Sequence, residues 1–92
     1  MPKVVKGGIV YRSDQSEKLA AEVDYIDFPT VDSHATVPAG AEGTLFLKAP
    51  PPQIGHYDKG DTLYYKDSNR HNDSTFDVKE NVGPTKYKIK VK

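Results

Sequence analysis

The chain has 92 residues, 13 basic and 13 acidic side chains, and neither cysteine nor tryptophan. That length makes a single domain, 1–92, with a thin core that buries only about 60–65% of the surface its unfolded form exposes. Zero cysteine excludes disulfides, thiolate nucleophiles, iron–sulfur clusters and Cys-containing zinc sites, no apolar run is long enough for a membrane helix, and no overall basic excess points to nucleic acid.

In chain order, Lys3–Lys6 and Ile9–Arg12 read as strand material split by Gly7-Gly8, a bulge or sharp bend. Asp14-Gln15-Ser16-Glu17 has the spacing of a capping box, which would support a short helix near residues 14–22. The competing reading is a turn leading into a strand from about Leu19 to Phe28. Within it, Val23-Asp24-Tyr25 and Ile26-Asp27-Phe28 alternate, but the apolar face switches between Tyr25 and Ile26. One extra residue in a strand produces such a switch, so the pattern predicts a bulge.

Gly43–Ala49 is the most apolar run and follows the turn Pro38-Ala39-Gly40. Pro50-Pro51-Pro52 lacks amide donors, favours polyproline II and is expected to cross the domain edge. A strand follows over Asp61–Lys66, and then the polar stretch Asp67–Asp73. The last segment, 75–92, reads as a hairpin with a long loop. Thr75–Lys79 alternates weakly, Glu80–Pro84 carries a turn signal, and Lys86–Lys92 sets Tyr87, Ile89 and Val91 against four lysines. These elements predict an all-β domain, a small β-sandwich or partly open barrel of five to seven short strands. The loops at 29–42, 50–60 and 67–74 are long for a compact domain, which is typical of functional or partner-held segments.

No catalytic constellation stands out. His34, His56 and His71 lie in predicted loops about twenty residues apart, without the helix or strand spacing of a zinc site. Asp67–Asp73 has oxygen-bearing residues at positions one, three and seven of a calcium loop. His71 stands at a ligand position, however, Asn72 replaces the glycine and Val78 replaces the bidentate Glu. There is neither a nucleophile elbow nor a phosphate-binding glycine loop. The expectation is therefore a non-enzymatic protein with no metal and no cofactor.

Aromatics and charge remain. Tyr57, Tyr64 and Tyr65 cluster in sequence near the proline loop. Tyr64 and Tyr65, adjacent on one strand, must face opposite sides. The outward one, with Tyr57 and His56, would form an exposed platform for a carbohydrate or peptide, or would cap the sheet. The charges are segregated. Residues 1–13 carry three basic groups, residues 14–42 carry seven acids against Lys18 alone, and residues 43–92 carry nine basic and six acidic groups. Lys86, Lys88 and Lys90 on the last strand have three readings: a guard on an edge strand, cross-strand partners for the acidic strand 22–27, or a face that meets acidic groups of another copy. The leading functional expectation is a structural protein that acts by assembly with itself or a larger particle, such as an accessory, cement or fibre component of a viral (phage) particle. A small carbohydrate- or peptide-binding module is the alternative. No signal-peptide core follows Met1, so a cytoplasmic or virion-associated location is expected, with no membrane partner and nucleic acid disfavoured by the acidic segment.

Overall fold

The computed structural model of the chain describes residues 2–67 and 73–92. Seven strands account for almost all regular structure: β1 (Pro2–Lys6), β2 (Ile9–Arg12), β3 (Ala21–Asp32), β4 (Glu42–Leu47), β5 (Thr62–Lys66), β6 (Asp73–Gly83) and β7 (Lys86–Val91). Two antiparallel meanders, β2–β3–β4 and β5–β6–β7, join where β4 pairs with β7 and where β5 pairs with β2. Those two seams close a six-stranded barrel, with β1 left outside as an extra strand on β3. The all-β expectation holds, and of its two forms the molecule takes the barrel, which is closed rather than partly open.

Residues 2–12 act as one strand broken in the middle. Lys6 faces Tyr25 and Ile9 faces Glu22, so three steps forward on one side match three steps back on β3. The register is therefore continuous through Gly7-Gly8. Both glycines adopt the left-handed region, at φ 78° and 93°, which a side chain would resist. The bend turns β2 towards β5 while β1 stays on β3. A Cβ at Gly8 would also lie 2.5 Å from the Lys66 carbonyl oxygen and 2.7 Å from the Tyr65 hydroxyl oxygen. The break is thus a site of close packing as well as a turn.

The capping-box segment does not become an α-helix. Ser16 makes no side-chain cap, and only a 3-10 turn forms over Glu17–Leu19 before β3 begins. Extended pairing of Ala21 and Glu22 with β2 competes for those residues and wins. In β3 the pairing with β4 shifts between Val23 and Tyr25, while Val23, Ile26 and Phe28 all point inward. The expected bulge therefore lies one residue earlier than the hydropathy pattern placed it.

The final hairpin is tighter than expected. β6 runs on to Gly83, and Pro84-Thr85 make the turn. Register shifts between Val78 and Glu80 and between Asn81 and Gly83 break the inside–outside alternation, so the continuing strand looks like a loop in sequence. The proline segment ends in a compact turn. Pro51 is buried, and the Gly55 amide donates to its carbonyl at 3.0 Å.

Val10, Val23, Ile26, Leu45, Leu63, Val78 and Ile89 fill the barrel, and among the described residues no charged or polar side chain is buried with them. Phe28 packs against Gly43, where an added Cβ would come within 2.7 Å of both the Phe28 ring and the Asp27 carbonyl oxygen. Gly43→Ala is therefore expected to cost about 1–3 kcal/mol through overpacking. At roughly 4–8 °C per kcal/mol for a domain of this size, thermal denaturation resolves that loss easily. Gly83→Ala, where nothing lies within reach of the new atom, is expected to melt within about 0.5 kcal/mol of the parent.

Candidate functional site

Closure of the barrel decides which side chains reach the surface together. β7 is not an edge strand: it pairs with β4 on one side and β6 on the other. The edge-guard reading of Lys86, Lys88 and Lys90 is thereby removed. Their neighbours across the ladders are Phe46, Thr44 and Glu42 on β4, and Gly83, Glu80 and Asp77 on β6, rather than the acidic strand 22–27. The sheet edge is β1, which pairs only with β3 and carries Lys3 and Lys6, the kind of charge that discourages further strand addition. Lys3 also donates to the Ala35 carbonyl at 2.7 Å, tying β1 to the loop after β3.

On the outer wall, β3 presents Glu22, Asp24, Tyr25 and Asp27. One rung reads Lys6, Tyr25, Phe46, Lys86 across β1, β3, β4 and β7, and the next reads Val4, Asp27, Thr44, Lys88, Glu80 as far as β6. Tyr25 and Phe46 stack with ring centres 4.4 Å apart and planes 21° from parallel. The Lys86 ammonium lies 5.5 Å from the Phe46 ring centre, a cation–π distance. Lys88 pairs with Glu80 at 3.3 Å. Among the described residues, Glu22, Asp24 and Asp27 have no cation within ion-pair distance. The wall is therefore an acidic strip on β3, a midline of Phe46, Thr44 and Glu42 on β4, and a basic strip on β7. Beside the basic strip, Lys59, Lys79 and Lys88 border an open groove of about 620 Å³.

The tyrosines divide differently from the sequence expectation. Tyr57 is fully buried and so belongs to no exposed platform. Its amide donates to the Tyr87 hydroxyl oxygen at 3.1 Å, its hydroxyl donates to the Val10 carbonyl at 3.4 Å, and the Asn81 amide group donates to its carbonyl at 2.9 Å. The Tyr87 hydroxyl in turn donates a hydrogen bond to the Pro84 carbonyl at 2.7 Å. These bonds tie the loop before β5 to the β6–β7 turn, which is why a tyrosine in a polar loop sinks into the core. His56 stays exposed, with Nε2 3.1 Å from Asp58. Tyr64 and Tyr65 face opposite ways as their adjacency requires: Tyr65 is buried with its hydroxyl on the Gly7 carbonyl, and Tyr64 is 41% exposed. Tyr64 meets Tyr11 edge-to-face, ring centres 5.6 Å apart, a pair the sequence reading did not single out because β2 and β5 are far apart in the chain.

Among the described residues no three His, Cys, Asp or Glu side chains converge on a metal site. The calcium-like stretch falls mostly at 68–72, outside the described residues, and so does His71. No helix among the described residues is long and apolar enough to cross a membrane. No protein-family model, characterised protein or solved structure matches the chain.

Burial pushes the phenol pKa of Tyr57, Tyr65 and Tyr87 above the ordinary value near 10. The folded state then keeps protons that the unfolded state releases from about pH 10 upward, so stability is complete below that pH and falls above it. Tyr57→Phe is expected to flatten the alkaline fall in melting temperature. At pH 7, Tyr87→Phe is expected to cost more than Tyr57→Phe, about 1–3 kcal/mol, because it strips a partner from both the Tyr57 amide and the Pro84 carbonyl. Thermal melts of the two variants from neutral to alkaline pH check both statements.

Proposed function

We propose that the protein is a non-enzymatic structural domain that works by assembly, with itself or on a larger particle. An accessory, cement or fibre component of a viral (phage) particle is one concrete form of this role. The observation that supports it is the charge layout of the barrel wall: Glu22, Asp24 and Asp27 on β3 without a cation among the described residues, lysines on β7, and a half-exposed aromatic stack beside them. Three like charges along one strand repel one another, and a cationic surface brought against them relieves that repulsion. Light scattering across a salt series tests the reading. It predicts a mass above the 10.2 kDa of one chain, or binding to a particle, at low salt, with dissociation as salt shortens the screening length below about 10 Å. A strict monomer at high concentration that also binds no particle overturns it.

A second reading, a carbohydrate- or peptide-binding module, is favoured by the Tyr11–Tyr64 pair. It lies on the wall of β2 and β5, with Lys66 and Thr75 bordering the recess beside it. Exposed aromatic rings beside hydroxyl and amine groups suit a ligand with one apolar face and a polar rim. Under this reading Tyr64→Ala abolishes retention on a glycan or peptide array and leaves the melting temperature unchanged. Full retention by the variant overturns it.

A further inference from the structure

We propose that the outer face of β3, β4 and β7 is a self-complementary interface between two copies of this chain, related by a two-fold axis running along β4. The inference rests on the assembly reading and names the partner for this face.

Asp27, Thr44 and Lys88 form one rung of this face. From β3 to β7 it reads acid, neutral hydroxyl, base. Two such walls can face each other about an axis in the plane between them. An axis across the strands sets β3 on β3 and β7 on β7, opposing carboxylate with carboxylate and ammonium with ammonium. An axis along β4 leaves each rung at its own height and exchanges its ends. Asp27 of each copy then meets Lys88 of the other, Thr44 meets Thr44, and Glu42 meets Glu42 with Lys90 of each copy as its cross-strand neighbour. The strips on β3 and β7 therefore favour this arrangement, and an isologous interface requires this kind of self-complementarity.

The neighbouring rung fits the same axis. It carries Tyr25, Phe46 and Lys86, so Phe46 lies on the axis against its own copy, and Tyr25 faces the partner's Lys86. The stacked Tyr25–Phe46 rings supply an apolar centre, and the charged strips flank it as a rim. Asp24, pushed outward at the bulge of β3, adds a second carboxylate near the partner's Lys86. The groove beside Lys88 is bordered by Lys59 and Lys79 and also by Glu42 and Glu80, so it gives an incoming carboxylate room and a lining with one more cation than carboxylate. Among the described residues no side chain has to leave a buried partner: Asp24 and Asp27 have no cation within ion-pair distance there, and Lys88 pairs with the exposed Glu80.

The test uses two variants of the full chain. One reverses the acidic strip, Asp24→Lys with Asp27→Lys; the other reverses the basic strip, Lys86→Glu with Lys88→Glu. Each alone opposes like charges at the axis and is expected to run as a monomer where the parent runs at twice 10.2 kDa. Mixed in equal amounts, the two are expected to form a one-to-one dimer, because both strip-to-strip contacts are then between opposite charges again. Circular dichroism melts confirm that each variant folds. Should either fail to fold, Asp27→Asn and Lys88→Gln carry the test, each expected to weaken the parent dimer. A parent that is dimeric while both reversed variants keep its mass overturns the interface, as does a mixture of two folded monomeric variants that stays monomeric. Unchanged affinity in the neutral variants overturns it as well. In each of these cases assembly through another surface still stands. A parent that is monomeric but binds a larger particle likewise overturns the interface alone, whereas one that is monomeric and binds nothing removes the assembly reading too.

Discussion

β3 is paired along both edges, and the rest of the molecule is arranged around that requirement. Along one edge run β2 and β1, in a single register through Gly7-Gly8; along the other runs β4. A strand of twelve residues that satisfies three neighbours must curve, and the bulge at Asp24 supplies the curvature. The glycines at 8 and 43 stand where Tyr65 and Phe28 press against the backbone, so the wall can bend with large rings packed close against it. A chain this short, with no disulfide, has little core to spend on unsatisfied edges. Closing the ring solves the problem for six strands at once.

Closure also explains why the charge pattern of the chain becomes a pattern in space. The acidic block of the sequence supplies β3, the basic end supplies β7, and β4 lies between them in the wall. The strips are two strand spacings apart, near enough to act on one partner and too far apart to neutralise one another directly. Lys88 is drawn to Glu80 on its other side, and Lys86 to the Phe46 ring. Among the described residues, Glu22, Asp24 and Asp27 of β3 are left without cations. A neutral protein therefore carries a polar face with a direction, and its formal net charge conceals this.

Much of the fold was legible because it rests on local alternation. β7 announces itself through Tyr87, Ile89 and Val91, β4 and β5 through short apolar runs between turn residues, and the β3 bulge through the switch of facing near Tyr25. The features that sequence missed depend on pairing between distant segments. β6 hid half its length because two register shifts cancel its alternation beyond Val78. Tyr57 sits among polar loop residues, and only Val10, Asn81 and Tyr87, from three other parts of the chain, make its burial possible. The β7 lysines were readable as residues, but their role turned on strand order, which a composition pattern does not carry. For the same reason Tyr25 and Phe46 escaped notice as a pair: they are twenty-one positions apart and meet only across the β3–β4 ladder.

The unbroken register through Gly7-Gly8 bears on how the molecule comes apart. When β1 detaches, every strand of the ring keeps both of its neighbours, so this opening breaks one ladder and leaves the barrel standing. Detaching any other strand breaks at least two ladders and the closure with them. The domain therefore has two tiers of cooperativity, an outer segment that exchanges its amide protons through local opening and an inner ring whose amides exchange only when the whole fold gives way. The glycine pair marks the boundary between the tiers.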